Sequence, residues 1–308
     1  MSNTLTALLP TLIAEKSLAY LRTKSGFLGR TYVETTQESI LRGGSSVVIP
    51  KPAALFTPTD VSYASAATPQ NIVIPSVTLN FTNHKEVKVA ANELESRISQ
   101  GNFSRILDLT IPGMLDGLVS TVDTTIAQLY SSVGTTPVGT AGTSLTDTTL
   151  REGVATLAAN NVNVQQSEVY LITTPGVYYN QLMSQTNYVQ TYAIGTDQTV
   201  RGGKIPTLYG VNVDYSPNIV TTATSPVTIE NMMFERNAFV VGFVQFEPAT
   251  ANAMSAPVDE AIVTDPETGI SLRVQKYYDA SVRTWYYQID IKWGAAVLDE
   301  NRAVVVKA

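Results

Sequence analysis

"GGSSVVIPKPAALFTPTDVSYASAATPQNIVIPSV", residues 43–77, carries only two formal charges, Lys51 and Asp60. It is too apolar and too rich in β-branched residues for a solvated linker, whose composition is polar and charged. Pro50, Pro52, Pro58, Pro69 and Pro75 interrupt it too often for a helix or for most central strands. The stretch therefore predicts a long, extended, nearly uncharged arm that cannot bury itself within its own domain.

The rest of the chain is of a different kind. Its 308 residues suffice for one large or two ordinary domains. With 44% hydrophobic and 15% charged residues it belongs to the globular class. That charge lies well below the usual quarter or so, as suits a protein that covers much of its surface with partners. The absence of cysteine excludes disulfides and thiolate metal sites. The first thirty residues have no early basic region, and Pro10 and Glu15 break their apolar run, so no signal peptide is expected. No window approaches the roughly 18 apolar residues of a membrane helix, and a soluble protein made in a cytoplasm is expected. Charge is uneven: residues 1–52 hold six Lys/Arg against three Glu, a net of +3, which leaves −9 on the remainder of a chain whose total is −6. A basic arm on an acidic body fits contact with nucleic acid, contact with the acidic body of a neighbour, or simple solvation.

Along the chain, Leu5, Leu8, Leu9, Leu12, Ile13, Leu18 and Leu21 recur at roughly helical spacing. "SVVIP" and "NIVIPSVTLNF" predict the two long strands of a hairpin whose tip is the proline-bearing middle. "HKEVKVAANELES" alternates as a strand before passing into helix. The strongest helical signal spans residues 103–134, where Leu115, Leu118, Val122, Ile126, Leu129 and Val133 recur at steps of three and four. Pro112 and Gly113 are expected to start or kink that helix, and Gly134 to close it at C′. "GTTPVGTAGTSLT" is a connector and the best domain boundary. Thr146 or Asp147 then caps a helix through "TTLREGVATLAANNV", followed by a buried strand, a Pro-Gly break and a short helix in "SEVYLITTPGVYYNQLM". Strand–helix alternation continues through "YGVNVDYSPNIV" and "NMMFERNAFVVGFVQFE", a mixed α/β pattern. The last forty or so residues alternate as antiparallel strands and end in "AVVVK".

Catalytic patterns are sparse. His84 is the only histidine, in "NHKEVKV", and reads as a half-exposed strand residue. No G-x-S-x-G marks a serine nucleophile to go with it, and one histidine without cysteine cannot build a histidine-rich zinc site. "VRGGKIP", residues 200–206, lacks the upstream glycine and following Ser/Thr of a phosphate loop and reads as an exposed loop tip. "DPETG", residues 265–269, lacks cation-loop spacing and reads as a tight turn. The fifteen tyrosines show no aromatic–basic interleaving of a nucleic-acid module and read mostly as packing residues. No catalytic residue, metal site or cofactor is assigned.

The order of elements (arm, extended hairpin, long helix, α/β domain, return to antiparallel strands) resembles the major capsid proteins of tailed bacteriophages, the Hong Kong ninety-seven type fold shared with encapsulins. The resemblance covers essentially the whole chain. Its local carriers are loose individually: "EVYLITTPGVYYNQLM", "GGKIPTLYGVNVDYSPNIV", "MMFERNAFVVGF" with Glu235, Arg236 and Asn237, and "YYDASVRTWYYQIDIKWGAAVLDENRAVVV" with a Gly-Ala turn before the last strand.

The resemblance implies an α+β protein with an N-terminal arm (1–42), an extended loop or hairpin (43–80), a peripheral domain with the spine helix (81–139 and 251–308) and an α/β axial domain (140–250). It implies a non-enzymatic coat protein, forming pentamers and hexamers of an icosahedral phage head around double-stranded DNA. An encapsulin-type nanocompartment shell is the alternative of the same fold, and an unrelated α/β enzyme or binding protein the alternative of another class. Arg22, Lys24, Arg30, Lys51, Leu55, Phe56, Asp60, Val61 and Tyr63 are expected at intersubunit interfaces, and Asp197, Arg201 and Lys204 in a loop near the capsomer axis. Expected partners are further copies of the chain, a scaffolding protein, a portal, non-specifically held DNA and a decoration protein, with no membrane and no cofactor. Assembly is expected in the host cytoplasm, and the product in the virion.

Overall fold

In a computed structural model the described residues are 25–35, 45–51, 58, 60, 63, 69–92, 103–185, 203–205, 207–223, 225–246, 259–265 and 270–308. The N-terminal helix expected over residues 5–21 lies outside them, as does the helical continuation after residue 92.

The chain builds two principal sheets and a separate hairpin. The six-stranded sheet runs β1 (Tyr32–Glu34), β9 (Phe239–Phe243), β12 (Thr284–Val297), β11 (Ser271–Asp279) and β10 (Asp259–Thr264), with β4 (Asn83–Asn92) also paired to β12. The fourteen residues of β12 let it hold three partners; Trp293 lies between Asn83 and Phe243. The five-stranded sheet runs β13 (Ala303–Lys307), β8 (Thr228–Glu235), β5 (Val169–Thr173) and β6 (Val211–Tyr215), with β7 (Thr221–Thr222) on β8. Each sheet takes a strand from across the boundaries expected near residue 250: β9 joins the sheet of the terminal strands, and the last strand, β13, joins the sheet of residues 169–235.

Alternation along these strands explains the layering. Ile172, Met232, Phe234 and Ala303 point to one core, while Leu171, Met233, Val304 and Val306 point to another. A sheet covered on both faces needs near-continuous apolar strands, hence "YLIT", "NMMF" and "AVVV". In the first core the helix α1 (Phe103–Ala127) packs Leu115, Leu118, Val122 and Ile126 with Phe239, Phe243, Ile289, Ile291 and Trp293. In the second, α2 (Asp147–Ala159) contributes Leu150 and Leu157 against Val169, Val211 and Val306. Thr146 caps α2, its hydroxyl accepting from the Thr149 N–H at 3.3 Å.

Three local expectations are corrected. α1 runs through Pro112 rather than starting there, and Pro112 and Gly113 both sit on its exposed side. Gly134 is not a left-handed helix stop: a 3-10 turn, Gln128–Ser132, ends in extended Val133, and Gly134 is small because a Cβ there would lie 2.8 Å from the Glu300 side chain. Gly294-Ala295 is no turn but lies inside β12, paired with Gly242 and Val241. The short helix after β5 forms, as a π-helical turn over Val177–Leu182. No helix among the described residues is long and apolar enough to cross a membrane.

Candidate assembly surface

The arm is a hairpin at its root. β2 (Ser46–Pro50) pairs antiparallel with β3 (Ser76–Asn80), from Ser46 opposite Asn80 to Pro50 opposite Ser76. The Lys51 N–H donates to the Pro75 carbonyl at 2.7 Å, and beyond it the pairing stops. The strands are thus shorter than expected, because Pro75 has no N–H to return to the Lys51 carbonyl. Residues 69–75 continue without strand pairing.

The two faces of the root differ. Val47, Ile49, Leu79 and Phe81 are buried with Val240, Val244 and Leu298, a third core where the arm meets the six-stranded sheet. Val48 on the other face is exposed, as are Ile72, Val73 and Ile74 in succession. Outside the arm, the large exposed hydrophobics among the described residues are four tyrosines and two valines, Val227 and Val282. Exposed aliphatic surface is therefore concentrated on the arm, and such concentration marks an interaction site.

The root is seated on two facing glycines. Gly242 of β9 and Gly294 of β12 are register partners. A Cβ on Gly294 would stand 2.3 Å from the Asn80 carbonyl oxygen; one on Gly242 would stand 2.8 Å from Leu79 Cδ2.

A second anchor holds the segment that leads in from the N-terminus. Asp123 of α1, buried, accepts from Ser25 Oγ at 2.5 Å, Gly26 N–H at 2.7 Å and Phe27 N–H at 3.3 Å. Burial pushes this carboxyl above its ordinary range, and the donated hydrogen bonds partly oppose that.

The expected interface residues separate into groups. Asp60 and Tyr63 are exposed, and Lys51 lines a groove at the arm root with Tyr32, Pro50, Ile74 and Arg302. Arg30 is engaged within its own chain: it pairs with Asp214, donates to the Gly26 carbonyl at 2.6 Å and stacks 6.0 Å from the Tyr170 ring centre. Arg22, Lys24, Leu55, Phe56 and Val61 lie outside the described residues, as do Asp197 and Arg201. Lys204 is exposed between Gly203 and buried Ile205, whose N–H donates to the Tyr178 hydroxyl at 2.8 Å. Sequence reasoning missed the exposed apolar run Ile72–Ile74, the Asp123 anchor, and the glycine pair. A lone glycine inside "FVVGF" and another inside "IKWGAAV" were the available signal for close backbone approach.

The sole histidine belongs to a structural network. His84 Nε2 is 2.9 Å from Asp290 Oδ2, and Arg273 grips the same carboxylate through Nε at 3.1 Å and Nη2 at 2.5 Å. This ties β4, β12 and β11 together. No group of three or more His, Asp or Glu suited to a metal occurs among the described residues.

An extended hairpin seated on a long-helix-and-sheet unit, with a second α/β layer beside it, is the Hong Kong ninety-seven type capsid fold, and this chain adopts it. Solved structures share it. A structure from Mycobacterium phage Che8 is 16% identical at a TM-score of 0.64, covering 89% of this chain and 88% of that one. The capsid of cyanophage P-SCSP1u is 14% identical at a TM-score of 0.61, covering 90% and 85%. A virus-like particle from Pyrococcus furiosus is 10% identical at a TM-score of 0.56, covering 96% and 97%. No protein-family model and no curated protein sequence matches the chain.

Proposed function

We propose that the chain is the major capsid protein of a tailed bacteriophage, assembling as pentamers and hexamers into an icosahedral head around double-stranded DNA. The observation that carries this reading is a capsid fold whose arm leaves Val48 and Ile72–Ile74 uncovered by its own body. Their burial against a neighbouring copy is the work the arm does, and no catalytic step is part of it. Rings close by rotation through heterologous contacts, and the same surfaces serve five- and six-fold closure.

The peripheral domain in this reading is α1 with the six-stranded sheet, residues 81–139 and most of 251–308 together with β1 and β9. The axial domain is the rest of residues 140–250, completed by β13, with the loop of Asp197, Arg201 and Lys204 toward the capsomer axis. Arg22, Lys24, Lys51, Leu55, Phe56, Asp60, Val61 and Tyr63 serve contacts between copies. A body of negative net charge holds packaged DNA without gripping it, since affinity scales with phosphates neutralised. Scaffolding, portal and decoration proteins are the partners such a head uses, and the virion is its destination.

A second reading, an encapsulin-type shell, is favoured by the coverage of the Pyrococcus furiosus particle, 96% of this chain and 97% of that one. Electron cryomicroscopy of the full chain, expressed alone and with a scaffolding protein from its genetic neighbourhood, tests both. Closed shells or capsomer rings are expected. A strictly monomeric species at high concentration with scaffold present refutes shell formation, and a protein cargo inside native particles in place of DNA selects the second reading.

A further inference from the structure

We propose that Gly242 and Gly294 form a notch that sets the direction in which the arm leaves the body. They are then positioning residues for the shell assembly proposed above, a role that rests on that reading. The two glycines face each other across β9 and β12 at one rung of the sheet. Neither has a positive φ, so the chain needs their missing side chains for space rather than for backbone conformation.

What fills that space is the root of the arm. A Cβ on Gly294 would meet backbone, at 2.3 Å from the Asn80 oxygen and 2.9 Å from its carbon, as well as Phe81 Cδ1 at 3.2 Å. A Cβ on Gly242 would meet only side chains, Leu79 Cδ2 at 2.8 Å and Phe81 Cε1 at 3.0 Å. Leu79 and Phe81 are themselves buried, so Asn80 is held from both sides. Ile49 and Val77 still pack against the body, and beyond them the arm loses contact: a groove lined by Tyr32, Pro50, Ile74, Leu298 and Arg302 opens between it and the body. The arm is thus fixed at one end and clear of the body at the other, which makes it a cantilever.

A cantilever magnifies displacement at its support. Ile72 is five positions past Val77, about 16 Å of extended chain, and Asn80 three positions before it, about 10 Å, at about 3.3 Å per residue. A methyl group at Gly294 must push Asn80 back by about 1 Å to reach ordinary contact distance. Pivoting at Val77, such a push moves Ile72 by about 1.5–2 Å by that lever arm. The arm would then meet its neighbour out of register, although every residue that touches the neighbour is unchanged.

The chain has no cysteine, so the full-length chain carrying Ile72→Cys and Gln128→Cys accepts two specific spin labels. Pulsed dipolar spectroscopy on unassembled subunits then reads the arm direction. A single narrow distance is expected in the parent, a shift of about 1.5–2 Å in Gly294→Ala by the lever arm above, and a smaller shift in Gly242→Ala. Gly117→Ala on α1, where a Cβ would meet nothing within 4 Å, is expected to shift nothing. Thermal unfolding identifies which variants are folded. Should Gly294→Ala fail to fold, Gly242→Ala, opposed by side chains that can turn aside, carries the test. An unchanged distance in the folded variant, or a broad spread of distances in the parent, overturns the notch. Shells of altered diameter from Gly294→Ala support its role in assembly, and normal shells despite a moved arm overturn that role. Failure of the parent to assemble at all refutes the proposed function while leaving the distance measurement to decide the notch.

Discussion

Replacing Ile72, Val73 and Ile74 together by serine separates folding from assembly. The three side chains are 73%, 71% and 61% exposed in the subunit. Complete burial of a Val or Ile side chain is worth about 1.5–3 kcal/mol, so roughly two-thirds of that, about 1–2 kcal/mol each, is still available to an interface. The triple substitution then removes about 3–6 kcal/mol per contact, an upper figure because ordering the arm offsets part of it. At about 1.4 kcal/mol per decade this raises the concentration needed for assembly by about a hundredfold to ten-thousandfold. The subunit itself should change by no more than about 0.5 kcal/mol, as for substitutions on open surface. Urea unfolding of the unassembled subunit and light scattering during shell formation measure the two quantities side by side. A loss of more than about 1 kcal/mol in the subunit would mean that the run belongs to an internal core, and unchanged assembly would mean that the arm is not a clamp.

Three further outcomes are expected. Arg22→Glu with Lys24→Glu should slow assembly and change its salt dependence while leaving subunit unfolding unaltered; Arg30→Glu should instead lower subunit stability, because it places a carboxylate beside Asp214. Asp123→Asn offers one acceptor to three donors and should cost about 1–3 kcal/mol at neutral pH. Because burial raises the Asp123 pKa above its unfolded value, the native state binds the proton more tightly. This group's contribution is fully present below the unfolded pKa and is lost as pH rises through the folded one. The stability gap between parent and Asp123→Asn should therefore widen as pH falls from 7 toward 4; urea titrations showing a gap that narrows would contradict the anchor. Asp290→Ala leaves Arg273 and His84 without their shared, fully buried partner and should cost about 1–3 kcal/mol, read as a lowered urea midpoint, whereas loss below about 0.5 kcal/mol would show the network to be incidental.

Much of the fold was legible because its signals are local. The three-and-four spacing of Leu115, Leu118, Val122 and Ile126 is a property of one helix and one buried face, and α1 follows it. Thr146 caps α2 through atoms three residues apart. Pro75 ends the β2–β3 ladder because a missing N–H acts wherever the chain goes. Less was legible where a residue's meaning lies in a distant neighbour. Gly294 looked like a turn because its reason, the Asn80 carbonyl, is more than two hundred positions away. Gly134 looked like a helix stop because Glu300 was out of view. Arg30 looked free for a neighbour because Asp214 had not yet been brought beside it.

Residue pattern alone specifies a nearly uncharged, proline-broken arm, a long amphipathic helix and strands apolar enough for burial on both faces. Periodicity, charge and missing donors are written residue by residue and survive any rearrangement of the whole. Which strands cross from one sheet to the other, which face of the arm root is covered, and where the arm is held emerge only in the folded chain. Those depend on contacts between residues far apart in the chain, whose distances exist only once it has folded.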